Sequence, residues 1–212
     1  RYFASKAVVP SRVFPKMRVT LCGDPAVGKT SLVRTLATGD FGQEEFDTSI
    51  PVEAVEGKLL LVDTNGQEEN DRMRGLAYKD ADAFLILFSI ISPTSYNSVV
   101  SKWQPEVQRA NAAGKPVVLI GTKCDLRTDP DALQRLEARH LAPVSFDQGL
   151  KLSRQIGATT YIECASNLPD GLTDLSEALN TLLNGGSKSK NKPRSNSKSA
   201  SGKTKSGGCS LL

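Results

Sequence analysis

The sequence predicts an α/β domain with a mainly parallel sheet and helices on both faces. Two observations support this fold class. Short apolar runs bounded by polar turns recur along the chain, which is typical of strands buried on both faces of a parallel sheet. Segments with helical spacing of apolar residues separate these runs, so strands alternate with helices. Ligands bind such sheets at the carboxyl ends of the strands, and we therefore expect functional residues in the loops that follow them.

The elements can be placed in order along the chain. The predicted strands are Met17–Cys22, Lys58–Asp63, Ala83–Ser89 and Pro116–Gly121, with Thr160–Glu163 as a further short candidate. The predicted helices are Thr30–Leu36, Thr94–Ala110, Ser145–Ile156 and Leu172–Leu183. Each motif described below falls directly after one of these strands.

Charge is distributed unevenly over the 212 residues, whose formal net charge is +4. Residues 1–16 contain four basic residues and residues 184–212 contain seven, and neither segment has an acidic residue. The segment 17–183 has 16 basic and 23 acidic residues, a net charge of −7. An acidic body with basic ends is not typical of a nucleic-acid-binding domain. We expect an N-terminal extension over 1–16, one domain over 17–183 and a basic tail over 184–212.

The spacing of the four cysteines indicates the redox state of the compartment in which the protein acts. Cys22, Cys124, Cys164 and Cys209 show no disulfide-framework spacing and no CxxC pair, which favours a reducing environment. The longest apolar stretch, beginning at Ala83, is far shorter than the roughly 18 residues needed to span a bilayer.

Gly23 to Thr30 matches the phosphate-binding pattern GxxxxGK(S/T), after a strand and at the start of a helix. Glycines let backbone N–H groups wrap a phosphate, and the helix N-terminus adds partial positive charge. Lys29 can reach the β- and γ-phosphates, and the Thr30 hydroxyl can ligate Mg²⁺. A plain glycine turn is the alternative, and Pro25 removes one N–H donor. The predicted nucleotide contacts here are Gly23, Asp24, Ala26, Val27, Gly28, Lys29, Thr30 and Ser31.

The second motif, Asp63 to Glu68, closes an apolar strand 33 residues after Thr30. The Asp63 carboxylate can hold Mg²⁺, Gly66 can offer its N–H to a γ-phosphate, and Gln67 can orient the attacking water. By itself this pattern could be a polar turn, but its order after the phosphate loop favours a nucleotide site.

The third motif, Thr122 to Asp125, follows the strand Pro116–Gly121. Asp125 can accept hydrogen bonds from the N1–H and amino group of guanine, whereas adenine would leave the carboxylate unpaired. Lys123 can lay its alkyl stem over the base. In this order the motif selects guanine over adenine.

With these motifs, the chain resembles the small GTPases of the Ras superfamily, and most closely the Rho family, as a divergent Rac-like member. Three features narrow the resemblance to Rho: Ser101–Val107, Tyr161–Cys164, and a charged segment from Asp125 to Leu150 like the Rho insert. The resemblance implies a P-loop GTPase domain with a mainly parallel six-stranded sheet, helices on both faces and a Rho-type insert helix.

The resemblance also assigns residues that the motifs alone do not. Thr48, 18 residues after Thr30, corresponds to the switch I threonine, and Phe41 to the aromatic residue beside guanine. Leu126, Ala165 and Ser166 fall on further nucleotide contacts. Mg²⁺ would be held by Thr30, Thr48 and Asp63, and catalysis would depend on Gln67, Lys29 and Thr48.

The sequence departs from the Rho pattern at four places that face nucleotide or effector. These are Pro25, the stretch Ser49–Glu53, Asn65 and the pair Ala165–Ser166. All four favour a divergent member. Pro25, Asn65 and the stretch Ser49–Glu53 also motivate an alternative function as a GTP-bound, hydrolysis-deficient membrane scaffold. A P-loop kinase is a more distant alternative.

Two other residues are given structural roles. Trp103, at helical spacing, is expected to pack in the core rather than bind a ligand. His140, the only histidine, is expected to be solvated, since no serine–histidine or cysteine–histidine arrangement accompanies it.

The last 29 residues contain eight serines, five glycines and no aromatic residue, a composition typical of disorder. They end in Cys209-Ser-Leu-Leu, a CaaX box whose leucine favours geranylgeranylation of Cys209. The basic residues upstream would add attraction to an anionic membrane. Nuclear localisation or RNA binding is the alternative use of the same charges.

The sequence thus predicts a GTP/GDP-dependent signalling switch with slow GTP hydrolysis, acting in actin or polarity control. By resemblance, its partners are exchange factors, GTPase-activating proteins, a dissociation inhibitor, effectors and an anionic membrane, with no nucleic acid. The expected location is the cytoplasmic face of the plasma membrane or an endomembrane, with a cytosolic pool.

Overall fold

The computed structural model describes residues 17–38, 52–54, 59–64, 71–111, 113–168 and 171–184. They form a sheet with the strand order β2-β3-β1-β4-β5-β6. The strands are β1 (Met17–Gly23), β2 (Val52–Ala54), β3 (Leu59–Asp63), β4 (Ala83–Ser89), β5 (Val117–Thr122) and β6 (Thr160–Cys164). Neighbouring strands are parallel except β2, which runs antiparallel to β3. The predicted mainly parallel α/β fold is confirmed.

The helices follow the strands as expected. They are α1 (Lys29–Thr38), α2 (Asp71–Lys79), α3 (Pro93–Ser98), α4 (Gln104–Ala110), α5 (Pro130–Glu137), α6 (Phe146–Gln155) and α7 (Thr173–Leu183). A π-helical segment, Val99–Trp103, joins α3 to α4, and a 3₁₀ helix, Cys124–Thr128, follows β5. None of the helices in the described ranges combines the length and apolar character that crossing a bilayer requires.

Both faces of the sheet are buried, and β4 shows why its sequence is continuously apolar. All seven of its residues are buried. Leu85 and Leu87 point to the core under α1 and α7, whereas Phe84 and Phe88 point to the core under the helices on the other face. An apolar residue is therefore required at nearly every position of this strand.

Local sequence signals set several helix ends. Ser92 caps α3 by accepting a hydrogen bond from the Ser95 N–H, and Pro93 occupies the first turn. Ser145 and Gln148 form a reciprocal capping box at the start of α6. The predicted single helix Thr94–Ala110 is instead α3, the π-helical segment and α4 in succession.

Two elements of the fold carry only a weak signal in the residue pattern. Strand β2 has three residues and lies at the sheet edge, too short for a detectable period of two. Helix α2 includes Gly75, a poor helix former, and follows a polar motif, so the residue pattern predicts no helix there. By contrast, helix α5 lies in the predicted insert-like segment, where the family resemblance implies a helix, and it has clear local start signals: Asp129 caps it and Pro130 occupies its first turn.

Gly149 lies where helix α6 packs closely against Tyr161 of the sheet. A Cβ atom there would lie 2.1 Å from Cζ of Tyr161, whose ring stacks on Phe88 and whose hydroxyl donates to Glu163 at 2.7 Å. Because Tyr161 is held on two sides, Gly149→Ala should lower the free energy of unfolding by about 1–3 kcal/mol in urea denaturation. Gly75→Ala is the control.

A Cβ at Gly75 meets nothing within 4 Å and its position on α2 is exposed. That substitution should raise the free energy of unfolding by about 0.5–1 kcal/mol, through helix propensity alone. A Gly149→Ala protein as stable as wild type would contradict the packing described.

Candidate nucleotide-binding site

The carboxyl ends of several strands meet at one edge of the sheet. Leu21 of β1 is in register with Asp63, the last residue of β3. Thr122, the last residue of β5, is in register with Ser89 of β4 and Cys164 of β6. Because these strands are parallel, the loops after β1, β3, β5 and β6 leave from the same edge. The motifs found in sequence are therefore neighbours in space.

The segment between β1 and α1 is a tight loop. Gly23 has φ of +153°, and a Cβ there would lie 2.5 Å from the carbonyl oxygen of Leu87 on β4, so only glycine fits. The chain then turns through Ala26 at φ +60° and Gly28 at φ +102°, both left-handed. Helix α1 begins at once, with the Leu32 N–H donating to the Gly28 carbonyl at 2.9 Å. This is the strand–loop–helix context that a phosphate loop requires.

Lys29 is buried in this loop, with 6% of its surface exposed. Its ammonium group donates to the carbonyl oxygens of Gly23 and Asp24, each at 2.9 Å. Burial lowers the pKa of Lys29, and the nearby Asp63 carboxylate acts in the opposite sense. The loop thus encloses the ammonium group of Lys29, which is hydrogen-bonded to the carbonyl groups of the loop backbone.

Asp63 faces the first turn of α1. The Thr30 hydroxyl donates to Asp63 Oδ2 at 2.5 Å. Asp63 Oδ1 is buried and has no hydrogen-bond partner among the described residues. Burial raises the pKa of Asp63, whereas the Thr30 bond and the Lys29 charge act to lower it. A hydroxyl and a carboxylate with an unused oxygen are donors suited to a hard divalent cation.

Two residues of the third motif support the phosphate loop from β5. The buried hydroxyl of Thr122 contacts the carbonyl oxygens of Val27 at 2.5 Å and Phe88 at 3.0 Å. Lys123, in a left-handed conformation at φ +60°, donates from Nζ to the Ala26 carbonyl at 2.9 Å. The predicted base-binding and phosphate-binding motifs are thereby joined directly.

Asp125 is held from the loop after β6. The side-chain amide of Asn167 donates to Asp125 Oδ2 at 3.0 Å. In the same loop Ala165 is buried, and its N–H donates to the Gly171 carbonyl at 3.2 Å. The family resemblance assigns roles to Ala165 and Ser166 but not to Asn167. Local sequence patterns do not reveal Asn167 either, because nothing near it marks its amide as the partner of a carboxylate 42 residues away.

The 3₁₀ helix that carries Asp125 and Leu126 is anchored by an ion pair. Arg127 donates to both carboxylate oxygens of Glu163, at 2.8 and 2.6 Å, and also to the Val144 carbonyl. A bidentate pair of this kind fixes orientation as well as distance. The base-side loop is therefore attached to β6 and to the segment before α6.

Trp103, from the helical segment after β4, also contacts the phosphate loop. Its side chain is fully buried, as the packing interpretation predicted. Its indole N–H also donates to Asp24 Oδ1 at 2.8 Å, a contact that the sequence did not indicate. The helical spacing of Trp103 marks it as buried, but nothing local names a partner 79 residues away.

The sequence is similar to known proteins over most of its length. The profile of the Ras family matches residues 18–184. Rho-related GTP-binding protein RhoF of Mus musculus is 36% identical over 176 residues, covering 80% of this chain and 83% of the relative. The RhoF protein of Homo sapiens is 38% identical over 167 residues, covering 76% and 79%. Rho-related protein racL of Dictyostelium discoideum is 38% identical over 156 residues, covering 70% and 80%.

The chain belongs to the Ras family of small GTPases, as a divergent Rho-family member. Family membership supports guanine-nucleotide binding, GTP hydrolase activity and the use of regulators and effectors of the kinds such GTPases have.

Not every predicted site residue of this Rho-family GTPase can be placed. The structure brings together the phosphate loop from Gly23 to Ser31, Asp63, Thr122, Lys123, Asp125, Leu126, Ala165 and Ser166 at the edge defined above. Phe41, Thr48, Gly66, Gln67 and Cys209 lie outside the described residues. Their roles stay predictions.

Proposed function

We propose that this GTPase is a GTP/GDP-dependent signalling switch with slow intrinsic hydrolysis, anchored to membranes by a prenyl group. The observation that carries the proposal is the meeting of Lys29, the Thr30–Asp63 pair and Asp125 at one sheet edge. Phosphate binding, divalent-ion binding and base recognition each need one of these groups. The RhoF relatives are named as GTP-binding proteins, which agrees with this assignment.

The phosphates would be bound by the turn between β1 and α1. The N–H groups of the loop and of the first turn of α1 favour an anion there. Lys29 supplies a full positive charge, and the two carbonyls that hold its ammonium orient it toward the loop interior. Pro25 removes one possible donor from this set.

Thr30 and Asp63 would hold Mg²⁺, with Thr48 as the third protein ligand implied by the family resemblance. The buried, unpartnered Oδ1 of Asp63 fits this ion, which favours oxygen ligands and retains several waters. When bound, the ion neutralises charge on the β- and γ-phosphate oxygens.

Guanine would be selected by the carboxylate of Asp125. A carboxylate accepts about four hydrogen bonds, so the bond from Asn167 leaves acceptor sites for the N1–H and amino group of the base. Asn167 and the Arg127–Glu163 pair restrict the orientation of this loop. The preorganisation reduces the entropy lost when the base binds.

Hydrolysis would use Gln67 to orient water, with Thr48 and Lys29 on the γ-phosphate side. Exchange factors, GTPase-activating proteins, a dissociation inhibitor and effectors would set the balance of the two states, in actin or polarity control. Pro25 in the phosphate loop favours one competing function, a GTP-bound scaffold that does not hydrolyse its nucleotide.

Nucleotide identity and single-turnover hydrolysis test the switch. Nucleotide released from the purified full chain should be GDP or GTP, and Mg²⁺-dependent turnover should be measurable. Gln67→Leu should lower the rate by about 10- to 100-fold, because the attacking water loses its positioning group. Gln108→Leu, on the exposed face of α4, is the matched control and should leave the rate unchanged.

ATP as the bound nucleotide, or no micromolar affinity for GTP, would contradict the proposal. Bound GTP with no turnover in the wild type would favour the scaffold instead.

Base selection is tested by Asp125→Asn. The variant should lose about 100-fold or more of its GTP affinity, because two hydrogen bonds to a charged acceptor are lost. It should gain affinity for xanthosine triphosphate, whose base offers a carbonyl to the new amide. Competition binding with both nucleotides measures this. Asp131→Asn removes the same charge from an exposed site nearby and should change neither affinity, and an unaltered GTP affinity in Asp125→Asn would exclude the role of Asp125.

Membrane attachment is tested by Cys209→Ser. A single prenyl chain gives reversible binding, which the basic residues of 184–212 would strengthen. In cell fractionation the variant should move from the membrane to the cytosolic fraction, whereas Ser210→Ala should behave as wild type. Persistent membrane association of Cys209→Ser would rule out prenylation as the anchor.

A further inference from the structure

We propose that Trp103 is a positioning residue for nucleotide binding that couples helix α2 to the phosphate loop. Its indole N–H holds the Asp24 side chain while its ring packs against the buried guanidinium of Arg74. Displacement of α2 would then disturb the loop carbonyls that orient Lys29. The inference rests on the proposed function, since it concerns the retention of guanine nucleotide.

The indole of Trp103 has a fixed position in the core. Trp103 is the last residue of the π-helical segment between α3 and α4, and π-helical turns are rare and often occur at functional sites. Val99 and Val107 are buried in the same core as Trp103. A buried indole requires an acceptor for its N–H, and here the acceptor is the carboxylate of Asp24.

Asp24 links the indole of Trp103 to the lysine predicted to bind phosphate. The backbone carbonyl of Asp24 accepts a hydrogen bond from Lys29 Nζ, while its side chain accepts one from Trp103. Because both groups belong to one residue, fixing the carboxylate restricts the carbonyl as well. Trp103 thereby restricts the position of the lysine that the phosphates would need.

Arg74 links Trp103 to α2. Arg74 of α2 is 2% exposed, and its Nε donates to Glu106 Oε1 at 2.8 Å. The guanidinium carbon lies 5.4 Å from the centre of the Trp103 ring. Because the guanidinium of Arg74 is buried and Glu106 is its partly exposed partner, breaking this ion pair would leave a buried charge unpaired, which keeps α2 and α4 in contact around the indole. A second contact from α2, the Ala77 carbonyl, accepts from Thr20 of β1.

Helix α2 is suited to transmit a change because of its place in the chain. It begins at Asp71, four residues after Gln67 of the predicted γ-phosphate motif. Its exposed side includes Leu76, which is 65% exposed. The same helix therefore carries an accessible apolar side chain on one side and the Arg74–Trp103 contact on the other.

The test is the rate at which the full-length chain releases fluorescently labelled GDP in excess Mg²⁺. Trp103→Phe keeps a buried ring but removes the N–H, and it should accelerate release by roughly 10- to 100-fold, the effect of losing a hydrogen bond to a charged group. Asp24→Ala should accelerate release to a similar extent. The double variant should be no faster than the faster single variant, because both substitutions remove the same bond.

Two further variants distinguish positioning from general destabilisation. Asp24→Asn keeps an acceptor oxygen and should recover a large part of the loss seen in Asp24→Ala. Arg74→Lys should accelerate release by roughly 2- to 5-fold in the wild-type background and have no further effect when combined with Trp103→Phe. Tyr96→Phe, which removes a different aromatic donor, to the Gln148 carbonyl, is the matched control and should change release less than twofold.

Wild-type protein without affinity for labelled GDP would overturn the proposed function, and this inference with it. Wild-type protein that binds GDP, with Trp103→Phe and Asp24→Ala both releasing at the wild-type rate, would overturn this inference alone. Additive effects in the double variant, or an equal effect of Arg74→Lys with and without Trp103, would also overturn it. If Trp103→Phe does not fold, the release rates of Asp24→Ala and Asp24→Asn are compared instead. Equal rates in these two variants would overturn the role of the Trp103–Asp24 hydrogen bond.

Discussion

A buried ammonium group, that of Lys29, sets the central constraint on this structure. Removing a cation from water is costly unless polar partners replace the lost hydration. Here those partners are two carbonyls of the phosphate loop, with the Asp63 carboxylate contributing favourable charge. The loop must therefore keep its turned conformation for Lys29 to remain buried. The left-handed residues and the close approach of Gly23 to β4 serve that conformation.

Three side chains from two other parts of the fold secure the loop. Trp103 holds Asp24, Lys123 holds the Ala26 carbonyl and Thr122 holds the Val27 carbonyl. These contacts come from the helix that follows β4 and from the end of β5. They connect the groups predicted to bind phosphate with those predicted to bind the base. A shift of either supporting element would displace these contacts and change the conformation of the loop. This gives a physical basis for communication between the parts of the site.

Much of the fold can be predicted because its signals are local. The predicted strand Ala83–Ser89 has the bounds of β4, since a strand buried on both faces must be apolar throughout. The predicted helix Ser145–Ile156 corresponds to α6, and the capping box at its start is a local feature that spans only four residues of sequence. Local signals do not reveal β2 and α2. A three-residue edge strand has no period to detect, and the short, polar α2 contains Gly75, so its stability depends on burial of Arg74 and Tyr78.

For the site, the sequence determined which residue types occupy each strand end, because the phosphate loop, the aspartate after β3 and the TKxD motif are contiguous patterns. It also determined the uneven charge that separates the acidic body from its basic ends. Only the tertiary structure decided which side chains hold these motifs in place. The contacts of Trp103 with Asp24, Thr122 with Val27 and Asn167 with Asp125 join residues 79, 95 and 42 positions apart. Such contacts depend on how elements pack, and no local period encodes them.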